Sequence, residues 1–74
     1  MILEVKVKPN LMNVLKAKGM TQVQLSELSG VPQGSISRFD KNNRHVDSHI
    51  FAIAKTLDVN ISDLFEVEYI YKNE

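Results

Sequence analysis

The sequence predicts a mainly helical fold: a compact bundle of five short helices, with a strand at each end pairing as a two-stranded antiparallel sheet. Three observations lead there. Apolar residues recur at helical spacing in short runs between residues 10 and 65. Those runs are bounded by helix punctuation, with Gly19 and Gly30 where helices stop and Thr21, Asp47 and Asn60 where they start. The ends, 2–8 and 66–72, instead alternate apolar and polar residues. At 74 residues the chain reads as one domain, 1–74, near the size at which a single core just suffices.

At the first end, Ile2-Leu3-Glu4-Val5-Lys6-Val7-Lys8 is rich in β-branched residues and Pro9 ends it. Leu11, Met12, Val14 and Leu15 then give a helix over 10–18, with Gly19 in the left-handed position after it. Thr21 and Gln24 form a capping box for the second helix, and Met20 and Leu25 are spaced as its hydrophobic staple. Val23, Leu25 and Leu28 make its expected inner face, and Gly30 turns the chain beyond Ser29.

The third helix, 33–39, is very short, with Pro32 suited to its start. Lys41-Asn42-Asn43-Arg44 follows as a polar loop, where Asn42 or Asn43 is expected at positive φ. Asp47 caps the fourth helix, with Val46 stapled to Phe51, and Ile50, Phe51, Ile53, Ala54 and Leu57 form its stripe. Asn60-Ile61-Ser62-Asp63 caps a last short helix holding Leu64 and Phe65. The second strand then carries Val67, Tyr69 and Tyr71 on one face.

Composition narrows the function classes. The nine Lys and Arg balance nine Asp and Glu, but unevenly along the chain. Residues 1–45 hold seven cations against three acids, net +4, and residues 46–74 hold two against six, net −4. A separated distribution lets one face be basic while the molecule stays soluble. With no cysteine, neither disulfides nor thiolate metal sites support the fold. No secretory h-region and no apolar run near the roughly 20 residues of a membrane span are present, so a soluble, cytoplasmic protein is expected. The sequence lacks a Gly-x-Ser-x-Gly stretch, a phosphate-cradling glycine loop and a Ser-His-Asp set within one predicted cleft, and an enzyme is not expected. His45 and His49 lie four apart without a third ligand nearby, so neither metal nor cofactor is expected.

The stretch "GVPQGSISRF", 30–39, carries the functional signal. Two helices joined by a glycine turn can set the second steeply against the first, the geometry that places a helix in the DNA major groove. Val31 and Ile36 anchor this helix, and the opposite face presents Gln33, Gly34, Ser35, Ser37 and Arg38. Gln can pair bidentately with adenine, Arg with guanine and Ser with either, while Gly34 lets the backbone approach or leaves room for a thymine methyl.

Together, "MTQVQLSELSGVPQGSISRFDKNNR" and "IAKTLDVNISDLF" resemble the lambda-repressor/Cro-type (XRE) helix-turn-helix family over about residues 10–65. The resemblance implies a five-helix bundle that binds operator DNA as a dimer. It implies base reading by Gln33, Gly34, Ser35, Ser37 and Arg38, and phosphate contact by Gln22 and by the loop residues Lys41, Asn43 and Arg44. The chain departs from the family's habit at Pro32, where Ser is frequent, at Asp40 for Glu, at Asn42 for Gly, and at Gly34, small for a base-reading position. The expected function is a sequence-specific transcriptional regulator, a repressor, of the kind phages and mobile elements carry. The alternative is an antitoxin-like or anti-repressor module that binds another protein through the end strands by β-augmentation.

The end strands lie outside the region that carries the resemblance. Paired antiparallel, they set Leu3, Val5 and Val7 on one side with Val67, Tyr69 and Tyr71, and Lys6 and Lys8 across from Glu66 and Glu68. Such a ribbon is marginal in water and must lean on the helices or on a second copy. Homodimerisation is therefore expected through the ribbon, with Ile70 as the favoured contact because it faces away from Val67, Tyr69 and Tyr71, or else through the end of the fifth helix at Leu64 and Phe65.

Overall fold

A computed structural model describes residues 1–73. In chain order it has strand β1 (Ile2–Pro9), helices α1 (Leu11–Lys18), α2 (Gln22–Ser29), α3 (Gln33–Arg38) and α4 (Asp47–Leu57), and strand β2 (Phe65–Lys72). One 3₁₀ turn, Phe39–Lys41, follows α3 and another, Ile61–Leu64, precedes β2.

Local signals set most of the boundaries. The capping box forms: Thr21 N–H donates to Gln24 Oε1 at 2.9 Å and Gln24 N–H to Thr21 Oγ1 at 3.1 Å. Gly19 (φ 66) and Gly30 (φ 77) take the left-handed conformation that ends α1 and α2. Neither the expected Asn42 nor Asn43 does so: Asn42 is extended at φ −96, and among the described residues the non-glycine residue at positive φ is Asp58, ending α4 at φ 55. Asp47 is the first helical residue of α4 rather than its cap, with Val46 in the cap position and no side-chain capping bond.

Four helices and two strands replace the expected five-helix bundle. The fifth helix is the single 3₁₀ turn Ile61–Leu64, closed by Asp63 accepting from the Asn60 N–H at 3.0 Å. It stops there because the Leu64 carbonyl accepts from the Asn10 N–H at 2.8 Å and Phe65, at φ −135, is already paired with Pro9 in the sheet. Leu64 has no exposed surface, so the end of this turn offers a partner nothing at that residue.

The core is built from the helices and the turns. Leu11, Leu15, Leu25, Val31, Ile36, Phe39, Ile53, Ala54, Leu57 and Leu64 form one buried cluster, and α2 packs on both α3 and α4. Three residues expected inside are out: Val23, Leu28 and Phe51 are 46%, 67% and 63% exposed. Eight-residue helices make about two turns, and in α2 only Leu25 is fully buried.

Asp40 joins distant parts of the body. Its carboxylate accepts from the N–H groups of Leu11 (2.7 Å) and Met12 (3.0 Å), whereas Asn10, the local cap position, makes no side-chain capping bond. Two orphan donors at the start of α1 are thus satisfied by a residue at least 28 positions away. The charge also suits the positive end of the helix dipole. His45 closes the same region, stacked on Phe39 with ring centroids 4.0 Å apart and its Nε2 2.7 Å from the Phe39 carbonyl oxygen.

The strands pair antiparallel from Ile2↔Lys72 to Pro9↔Phe65, with Lys6 opposite Glu68 and Lys8 opposite Glu66 as expected. Among the described residues the ion pair is Lys72 with Glu4. The ribbon does not lean on the helices: Leu3, Val5, Val7, Val67, Tyr69 and Tyr71 all remain exposed. Ile70 is half-buried on the other face, opposite Glu4, so it is not the ribbon's free apolar residue. With extents of 48 × 21 × 18 Å, the molecule is long because the ribbon projects from the body.

Candidate nucleic-acid interface

Two serines fix the angle between α2 and α3. Ser26 Oγ donates to the Val31 carbonyl at 2.7 Å, and the Val31 N–H donates to Ser29 Oγ at 3.2 Å. With Gly30 left-handed between them, the turn's backbone groups are satisfied locally and Val31 points into the core. Val31, Ile36 and Phe39 are all at least 98% buried. The helix between them has its orientation set by that inner row, and everything it exposes is polar.

The five residues expected to read bases therefore sit on one short helix. Gln33, Ser37 and Arg38 are exposed, while Gly34 and Ser35 are half-buried. Ser37 Oγ donates to the Gly34 carbonyl at 3.1 Å, a local bond that holds the hydroxyl close to the helix. Arg38 folds back along the helix over Gly34. A Cβ added at Gly34 would stand 3.2 Å from Arg38 Nη1 and 3.4 Å from Nη2. The small residue at this position makes room for the guanidinium, one turn away on the same face.

The other expected contacts are less uniform. Gln22 is half-buried at the start of α2, its Nε2 3.2 Å from Met12 Sδ; a thioether is a weak acceptor and releases the amide cheaply. Lys41, Asn43 and Arg44 are exposed between the 3₁₀ turn and α4. Asp40, the acid in this stretch, is turned inward to cap α1. Among the described residues no carboxylate pairs with Arg38, Lys41 or Arg44, so this side of the molecule keeps its positive charge.

A cleft of about 90 Å³ between α3 and the start of α4 brings Ser35, Arg38 and Arg44 together. It does not include Lys41, Asn43 or Gln22. Asn42, His45 and His49 line it and were not among the expected contacts. His45 and His49, four apart and read without a metal role, enter this cleft instead as side chains able to hydrogen-bond beside the two arginines. The signal that could have found them was their place beside Arg44, directly after the helix that presents Arg38.

A helix held by an apolar inner row, a polar outer row and unpaired cations beside it can grip a polyanion while testing base edges. A family model, the Cro/C1-type HTH DNA-binding domain, matches residues 10–69, which takes in all four helices and leaves the whole of β1 outside. Searches of curated proteins and of solved structures return no match. The match spans most of the chain and coincides with the two-helix unit just described, and the chain belongs to the Cro/C1-type helix-turn-helix DNA-binding family.

Proposed function

We propose that residues 1–74 act as one sequence-specific DNA-binding transcriptional regulator, a cytoplasmic repressor that reads the major groove with α3. The observation that carries this reading is the outer row of α3: Gln33, Ser37 and Arg38 are exposed on a helix whose inner row is fully buried. Gln33 and Arg38 read base edges, and Gly34, Ser35 and Ser37 allow close approach and add hydrogen bonds. Gln22, Lys41, Asn43 and Arg44 hold the phosphates, with Gln22 exchanging its sulfur contact for a phosphate oxygen. A helix seated in the groove excludes other proteins from the same site, and repression is the simplest output of that occupancy. Two copies reading half-sites about 34 Å apart would supply the affinity that one short helix lacks. No described helix is long and apolar enough to cross a membrane.

The test is a salt titration of binding to random duplex, followed by selection for a preferred sequence. A DNA-binding regulator gives a steep salt slope from counterion release and a recoverable site. The second reading, an antitoxin-like or anti-repressor module, is favoured by the ribbon's open edges and predicts no salt-dependent binding to duplex at all.

A further inference from the structure

We propose that His45 is a positioning residue for phosphate contact: its ring holds the loop that carries Asn43 and Arg44 against the end of α3. The proposal rests on the reading of that loop as a phosphate grip. Three contacts meet at the ring. Its Nε2 lies 2.7 Å from the Phe39 carbonyl oxygen. It stacks on the Phe39 ring, with centroids 4.0 Å apart and planes 32° apart. It meets Phe65 in a T-shaped contact, with centroids 5.8 Å apart and planes at 70°. Phe39 is the residue directly after α3 and is buried; Phe65 is the first residue of β2. One half-buried side chain thus ties the loop to the end of the proposed reading helix and to the base of the second strand.

The loop has little else to hold it. It runs from Asn42 to Val46, between the 3₁₀ turn and α4, with no regular structure of its own. Among the described residues, two hydrogen bonds bring it back to the end of α3, and both go to the Phe39 carbonyl. One is the His45 bond; the other comes from the Asn42 N–H at 3.4 Å. The second is longer than a well-formed N–H···O bond and the first is at the short end of the range. Asn43 and Arg44 make no hydrogen bond among the described residues, and Arg44 has no carboxylate partner there. Without the ring, residues 42–45 would regain backbone freedom, and gripping a duplex would require ordering them again.

The bond also fixes where the ring carries its proton. A carbonyl oxygen only accepts, so Nε2 is the nitrogen that bears hydrogen, and in the neutral ring Nδ1 is bare. Two aromatic rings beside the bond keep water from it, which strengthens it. The cleft that His45 shares with Arg38 and Arg44 is lined by no carboxylate, so no acid competes for the N–H. The reading helix does not need this tie, because Val31 and Ile36 are buried in the core on its inner row. Loss of the His45 bond therefore loosens the phosphate grip and spares the choice of bases.

Two substitutions separate donor from ring. His45→Phe keeps an aromatic ring against Phe39 and Phe65 and removes the donor, while His45→Gln returns an N–H close to where Nε2 stood. Binding of each to the selected site and to random duplex is measured across a salt series. His45→Phe is expected to weaken both duplexes alike by roughly threefold to tenfold, the scale of ordering a short loop. Its salt slope should fall by about one, as for Arg44→Ala, with single-base preferences kept. His45→Gln is expected to restore the slope. His45→Phe combined with Arg44→Ala should bind no more weakly than Arg44→Ala alone, whereas a merely structural role would add the two losses. Two readings need no DNA and, in the wild type, no variant. Nitrogen NMR of the imidazole is expected to place the proton on Nε2, and backbone order parameters at Asn43 and Arg44 to stand near about 0.85, falling below about 0.6 in His45→Phe. A wild-type ring protonated on Nδ1 alone, or a wild-type loop already mobile, overturns the proposal. So does His45→Phe with an unchanged slope, with losses that add to those of Arg44→Ala, or with altered base preference. A wild type that satisfies both DNA-free readings yet binds no duplex overturns the DNA-binding reading itself, and the positioning role falls with it.

Discussion

In the helical body, Leu11, Leu25, Ile36, Ile53 and Leu64 have lost all contact with water, while in the ribbon Leu3, Val5, Val7, Tyr69 and Tyr71 keep 45% to 66% of theirs. Both regions show clear apolar patterning. The body covers most of its pattern with itself, because four helices and two turns meet around one cluster, and leaves out only Val23, Leu28 and Phe51 of the residues expected inside. Two strands have nothing on either side except what another element brings. Periodicity tells which face of an element is apolar. It does not tell what lies on that face, and the ribbon is the case where the difference matters.

The sharpest way to break the comparison is a matched pair of truncations. Ile36→Ala empties a fully buried site and is expected to cost about 2–5 kcal/mol. Val5→Ala removes a side chain that is nearly half exposed and is expected to cost under about 0.5 kcal/mol at concentrations where the chain is monomeric. Urea unfolding of both variants at the same dilute concentration is the measurement. Equal losses would mean that the ribbon face is covered within one chain.

Asp40→Ala is next in size and tests how the body is tied together. It orphans the Leu11 and Met12 N–H groups at the start of α1, with an expected cost of about 1–3 kcal/mol. Hydrogen exchange localises the effect: the amides of Leu11 and Met12 should lose protection, while those of β1 and β2 beyond residue 66 should not. A loss spread evenly over the ribbon would show that body and ribbon unfold as one unit.

DNA binding sharpens the same contrast at the surface of the body. Gln33→Ala and Arg38→Ala are each expected to cost about 1–3 kcal/mol at one base pair and to relax preference there. Arg44→Ala should weaken specific and random duplex alike and lower the salt slope by about one. Fluorescence anisotropy against a panel of single-base variants separates these outcomes. If Gln33→Ala and Arg38→Ala weaken all sequences equally, α3 touches phosphates and does not read bases.

What was legible in the sequence was local. The Thr21–Gln24 box, the glycines ending α1 and α2, and the strand register are decided by residues within a few positions or by strict alternation. Candidate site residues on α3 were legible for the same reason, since Val31 and Ile36 alone fix which side of a short helix faces out. Longer-range facts were not. Asp40 as the cap of α1 depends on a contact across 29 positions. The fifth helix failed because the Leu64 carbonyl accepts from Asn10, just beyond the sheet's first strand. Val23, Leu28 and Phe51 sit at helical spacing, yet too few neighbouring elements exist to cover them. The lining of the cleft by His45 and His49 follows from how α4 leaves the loop, and only their place beside Arg44 hinted at it.

The smallest expected effect separates stability from function within α3. Gly34 has ordinary helical backbone, so its flexibility is a cost without a conformational need. Gly34→Ala should therefore gain about 0.5–1 kcal/mol from helix propensity. Against this stands the added Cβ, 3.2 Å from Arg38 Nη1, a contact that the far end of an exposed, flexible side chain relieves by moving a few tenths of an ångström. That movement costs little in folding, and the net change should be a melting temperature raised by about 2–6 °C in a domain of this size. For recognition the same movement matters more, because a bidentate Arg–base contact depends on where the guanidinium lies and how it is turned. Gly34→Ala is thus expected to melt higher and to discriminate less at the base pair that the proposed function gives to Arg38, with preference at the one it gives to Gln33 retained. Differential scanning fluorimetry and the single-base anisotropy panel report the two changes separately. A variant that is both more stable and equally selective would show that Arg38 does not need the space above Gly34 when DNA is bound.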